Sequence, residues 1–207
     1  TNLCLTETGI WYGPNLAIKG LMLYNISQML FFYLLKGVFL VVFGVMARAV
    51  EYDGDDAARI HHLVRVHSFA RIIGKADGFD ENNQKITELA AILHDIGIHN
   101  AEKKYGSIDG KYQEIEGEPV ARAIMEDAHI PSWIIDRVCY IVGHHHTLSA
   151  IDGMDFQAVI EADTLVNIFD KKITDKEKIT LIRDRVFKTR KGKNLLTQMY
   201  LCDSYGK

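Results

Sequence analysis

The chain has 207 residues, 48% of them hydrophobic, with only three prolines and a formal net charge of −3. That length suits one domain with a real core, or one domain and an appendage. The balance excludes a low-complexity chain and offers no overall charge for gripping nucleic acid or an anionic membrane. Strong helix formers in most segments predict an all-α fold. Cys4, Cys139 and Cys202 have no metal-type spacing, and so sparse a set reads as reduced thiols in a cytoplasmic protein.

In chain order, residues 20–47 are strongly apolar, with Lys36 as their only charge. As a helix they would span about 42 Å, enough to cross a bilayer. However, Asn25 and Gln28 share a helical face with Lys36, Gly37 offers a break, and the charge-free runs on either side are 16 and 11 residues. No small-residue cleavage site follows, which argues against a secretory peptide. We read 1–37 as a hydrophobic N-terminal helical extension, buried or used for a homodimer through 20–47, with a membrane anchor as the minority reading. The main domain is expected over 38–170, beginning with a helix at 38–52. Asp53, Asp55 and Asp56 around Gly54 signal a loop and N-cap, so a helix is expected at 55–74 and another at 85–96. The stretch 97–117, rich in Gly, Lys and Tyr, reads as a loop over a site. Pro119 at a first turn predicts a helix at 120–128, and two more are expected at 132–145 and 156–170. A basic helical segment, 171–207, packs on the domain and ends the chain.

Chemistry concentrates at His94-Asp95, inside an apolar helix ended by Gly97. A charged Asp one turn from Leu89, Ala90 and Leu93 is costly to bury without a partner, and a cation is the obvious one. Upstream, His61, His62 and His67 are candidates that helical periodicity does not separate. Downstream, His144-His145-His146 follow an apolar helix. One such His could simply complement the helix dipole, but three beside a candidate metal site point to ligation by at least one. Asp163 interrupts another apolar helix and shares a face with Val159, Ile160 and Val166, although Glu161 is the rival for the inward position. Imidazole and carboxylate ligands in this ratio suit Mn, Fe, Co, Ni, Zn or Mg.

His62, then His94-Asp95-Ile96-Gly97, then Asp163 resemble the HD domain superfamily of metal-dependent phosphohydrolases, over roughly residues 40–170. The resemblance implies an all-α single bundle with a central site, and His62, His94, Asp95 and Asp163 as ligands of a first divalent metal. Branches with a second metal bridge it through the Asp of the pair and add further histidines. Here His144 and His145 match the later position. The earlier one falls in Gln113-Glu114-Ile115-Glu116-Gly117, which has no histidine, so Glu114 or Glu116 would have to substitute as an oxygen ligand. The Gly-Tyr-Pro element of the cyclic-dinucleotide phosphodiesterase branch is absent, which argues against that substrate.

The function expected is hydrolysis of a nucleotide or other small phosphate ester by metal-activated water, with Asp95 as ligand and proton acceptor. Cationic clamps for phosphate are sought at Lys103, Lys104, Arg65 and Arg122, with Lys103 preferred for its place in the 97–117 stretch. Alternatives are a di-iron oxygenase of the same fold and a non-catalytic regulatory module. Between Lys171 and Lys193 there are ten Lys or Arg against three Asp or Glu. With Phe187 as its one aromatic, it offers no stacking platform and reads as a solvated helical face, and nucleic acid is not an expected partner.

Overall fold

The computed structural model describes residues 40–202. The expectations for 1–37 and for most of the 20–47 segment lie outside the described residues. Within them the protein is an all-α bundle. Helix α1 covers 40–53. It is followed by α2 (Ala57–Ala76), α3 (Glu81–Leu93), α4 (Ile98–Tyr105), α5 (Gly110–Asp127), α6 (Ser132–Val142), α7 (Met154–Asp170), α8 (Lys176–Val186) and α9 (Arg190–Leu196). Among the described residues no helix is long and apolar enough to cross a membrane.

Local chemistry sets several of these boundaries. Asp56 caps α2 by accepting from the Arg59 N–H, and Asp80 caps α3 by accepting from the Asn83 N–H, each satisfying a donor that the first turn leaves open. Gly106, at φ +62°, ends α4 in the left-handed conformation that glycine adopts at little cost. Helix α3 is the axle of the bundle, packing on α2, α6 and α7. Every residue from Ile86 to His94 is buried, so this part of α3 is enclosed around its whole circumference rather than along a stripe. Its one buried acid, Glu88, accepts from Gln84 at 2.8 Å and faces His67 at 3.1 Å.

The 97–117 stretch is not the loop its composition suggests. It forms α4 and the first half of α5, and Pro119 lies inside α5 instead of opening a helix at 120. Tertiary packing overrides the proline penalty. Gln113, Gly117, Ala121 and Met125, spaced by four, form one buried stripe of α5, which lies against α4 and α6. Helix α6 also stops earlier than expected, at Val142, and 143–146 are turns.

The C-terminal helices are tied to the bundle by Glu161. Its carboxylate accepts from the Thr189 N–H at 2.9 Å, from Gln157 Nε2 at 2.8 Å and from the Thr189 hydroxyl. Arg190 adds a hydrogen bond to the Ala76 carbonyl at 2.9 Å. Glu161 is therefore inward-facing, as an anchor for the segment around α9.

Gly97 marks the tightest crossing. A Cβ there would lie 2.4 Å from the Gln113 carbonyl oxygen and 2.4 Å from the Gly117 nitrogen, both backbone atoms that cannot swing away. Its φ of −82° is ordinary, so the demand for glycine is steric alone. Gly97→Ala is expected to lower stability by at least about 1–3 kcal/mol, the usual penalty for overpacking. Thermal and urea denaturation would measure it, and a neutral result would contradict the close packing.

Candidate metal centre

Four elements deliver the polar cluster at the centre. His62 projects from α2, and His94 and Asp95 follow the end of α3. His145 lies in the turn after α6, and Asp163 comes from the middle of α7. His62 Nε2 lies 3.1 Å from Asp163 Oδ1 and 3.6 Å from Asp95 Oδ2. His94 Nε2 is 3.4 Å from Asp95 Oδ2 and 3.6 Å from Asp163 Oδ1. His145 Nε2 is 3.4 Å from Asp95 Oδ1. Atoms that share one ion with bonds of about 2.0–2.2 Å stand roughly 3–4 Å apart, and these spacings fall in that range.

Histidine tautomers point the same way. His94 Nδ1 donates to the Ala91 carbonyl at 2.9 Å, and His145 Nδ1 donates to the Val142 carbonyl at 2.7 Å. Each bond puts the ring proton on Nδ1 and leaves the Nε2 lone pair facing the carboxylates. Both Nε2 atoms are buried and have no hydrogen-bond partner. A buried acceptor in that state costs about 1–3 kcal/mol, so the residues fit a divalent cation. His62, His94 and Asp95 form one group able to hold an ion; Asp95, His145 and His146 form another. Asp95 serves both, with Oδ2 toward the first group and Oδ1 toward His145.

The charges agree. Burial opposes ionisation of Asp95, yet His94 and His145 hold its pKa well below the usual carboxylate range. Asp163 is likewise held low against burial, by its hydrogen bond with His62 and by the nearby His94. Burial opposes a charge on His94 too, but Asp95 and Asp163 outweigh it and raise its pKa well above the ordinary value. The cluster therefore favours positive charge at its middle.

Of the residues singled out in the sequence, the structure brings together His62, His94, Asp95, Asp163 and His145. It does not bring in His144, whose Nδ1 bonds the Tyr140 carbonyl at 2.8 Å and whose ring stacks on Tyr140 with centroids 4.5 Å apart. The reason is the early end of α6: the turn rotates consecutive histidines to different faces, and His145 and His146 point to the site. Glu114 binds the His146 N–H at 2.9 Å. Glu116 binds Lys104 and Tyr105 at 2.7 and 2.9 Å. Neither is in a metal-type group. From α5, Gln113 meets the His146 ring, with its Oε1 2.9 Å from Nε2.

A cavity of about 380 Å³ opens beside His62 and Asp95, lined on α2 by Arg59, His61 and Arg65 and on α7 by Asp170. Lys103, Lys104 and Arg122 do not line it. Lys103 is exposed on α4, and Arg122 pairs with Asp136 at 3.0 Å. Arg59 and Asp170 were passed over in the sequence. Spacing could have found both, since Arg59 precedes His62 by one turn and Asp170 follows Asp163 by two.

The HD domain family model matches residues 59–186. A solved structure described as a predicted HD superfamily hydrolase, from an uncultured Thermotogales bacterium, superposes with a TM-score of 0.53 at 20% sequence identity, covering 76% of this chain and 82% of that one. No curated protein matches the chain.

Two outcomes follow for metal binding. His145→Ala is expected to weaken Mn²⁺ binding by more than ~100-fold, beyond the usual effect of a residue that only orients a ligand, whereas His144→Ala leaves it unchanged. Because the proton on His94 is held to a higher pH than usual, affinity should rise with pH as that proton is lost and fall in acid. Titration calorimetry at several pH values checks both. Equal losses in the two variants would refute the assignment of the inward histidine.

Proposed function

The chain belongs to the HD domain family, and on that premise we propose that it is a metal-dependent phosphohydrolase acting on a nucleotide or other small phosphate ester. One observation carries the reading: two buried imidazole nitrogens without partners converge with two carboxylates beside an open, arginine-lined cavity. His62, His94, Asp95, Asp163 and His145 would hold metal at this centre. A divalent ion in such a site supplies an activated water at neutral pH and an electrophile for a phosphoryl oxygen.

The chain's own groups do the rest. Asp95, between the two groups, accepts the proton that the attacking water gives up. Water's oxygen bonds to phosphorus, the P–O bond to the alcohol breaks, and the leaving alcohol takes up the proton that Asp95 received. Arg59 is the better clamp for the phosphate. Asp56 fixes only its Nε, at 3.1 Å, so its terminal nitrogens remain available for a bidentate grip. Lys103, Lys104 and Arg122 are dropped from that role because they lie outside the cavity.

A second reading is favoured by one feature, the group of Asp95, His145 and His146 that shares Asp95 with the first. Two irons held there would suit oxygen chemistry, and metal content with oxygen dependence separates that case from hydrolysis.

The test uses purified protein with p-nitrophenyl phosphate and a panel of nucleotides and small phosphate esters. Phosphate release should stop on chelation and return with metal. Asp95→Ala should reduce kcat/KM by at least about 1,000-fold, at the level of losing a transition-state group. Arg59→Ala should raise KM by about 10- to 100-fold, the equivalent of one charge-assisted hydrogen bond. Metal-loaded protein that releases no phosphate from any ester would refute the reading.

A further inference from the structure

His62 differs from the other two inward histidines in how its far nitrogen is held. His94 and His145 follow helix ends, where last-turn carbonyls have no intrahelical partner, and their Nδ1 atoms use Ala91 and Val142. His62 sits within α2, where each carbonyl is committed to the N–H four residues on. Its Nδ1 must find a side chain, and it finds Asp170 Oδ2 at 3.1 Å, across the bundle at the end of α7.

Asp170 is itself braced. Arg65 Nη1 donates to Asp170 Oδ1 at 2.7 Å and Nη2 to Oδ2 at 2.9 Å, a two-pronged pair. Arg65 Nε donates to the His61 carbonyl at 3.0 Å, which fixes the guanidinium to its own helix. The guanidinium carbon lies 5.8 Å from the centre of the Phe169 ring. With Nε and both terminal nitrogens committed, Arg65 is poorly placed to bind substrate although it lines the cavity.

We propose that Asp170 is the positioning residue of the metal centre, orienting His62 through its Nδ1, and that Arg65 acts only by holding Asp170. The chain runs from guanidinium to carboxylate to imidazole. It sets the His62 ring plane, keeps its proton on Nδ1, and makes Nε2 the better electron donor. The arginine also keeps the Asp170 carboxylate from swinging toward the centre as a competing ligand. The inference rests on the reading of the cluster as a metal centre.

The experiment is Mn²⁺ titration calorimetry on the full chain, with the melting temperature of the metal-free protein measured alongside. The set is wild type, Asp170→Ala, Asp170→Asn, Arg65→Gln and the Arg65→Gln/Asp170→Ala double variant. Asp170→Ala should weaken Mn²⁺ binding by about 10- to 100-fold. Asp170→Asn, which still accepts from Nδ1 but lacks the charge, should fall between it and wild type. Arg65→Gln should weaken binding less than Asp170→Ala and add nothing to it in the double variant, because its effect passes through the lost carboxylate. Metal-free melting should shift little in every variant, and saturating Mn²⁺ should restore most of the phosphate release of Asp170→Ala. Wild-type affinity in Asp170→Ala overturns the proposal, as does additivity in the double variant or a loss confined to melting temperature. A wild-type protein that binds no Mn²⁺ overturns the metal centre itself, and the proposal with it.

Discussion

Two carboxylates at the middle of a helical bundle are the constraint on which this structure depends. Removing an ion from water costs on the order of several kcal/mol even after the protein relaxes. Asp95 and Asp163 lie close enough to share the same imidazoles, His62 and His94, so each adds to the other's burden. The bundle answers with three imidazole nitrogens converging on them and a geometry open to a cation. The raised proton affinity of His94 expresses the same demand: where positive charge is needed, a proton and a metal ion compete for the position.

Helix termini make that convergence possible. A residue inside a helix has its backbone fully committed and projects in a direction set by its place on the wheel. One just beyond the end is free to turn, and the last carbonyls are available to hold its ring. His94, Asp95 and His145 all occupy such positions, and the stop after Val142 separates His145 from His144. The ends must come close, and glycines allow it. Gly97 lies against the backbone of α5, and a Cβ on Gly110 would meet the His146 ring at 2.5 Å. The same crossing presses Gln113 against His146.

Helix α7 holds the bundle together in three directions. Asp163 faces the centre, Asp170 reaches His62 from its last turn, and Glu161 faces the opposite way to collect the amides around the start of α9. The basic C-terminal stretch is partly absorbed by these attachments. Arg190 is bound to the Ala76 carbonyl, the Lys191 N–H to Asp77, and Arg183 to Asp184.

The family pattern, the helical class and the pairing of His94 with Asp95 were readable in the sequence, because each depends on local order: apolar periodicity, a helix stop at Gly97, and an acid that an apolar helix could not tolerate alone. Glu161 and Asp163 could not be told apart in kind, since both face the interior and only the Thr189 segment folding back gives Glu161 its partner. Composition misled over 97–117, where glycine and Pro119 suggested a loop, because the stripe of Gln113, Gly117, Ala121 and Met125 becomes stabilising only once α4 and α6 lie against it. The choice of His145 over His144, and the roles of Arg59 and Asp170, were likewise decided by tertiary structure. Each turns on which way a side chain leaves a helix end or which helix it meets across the bundle, and those directions exist only after the helices have packed.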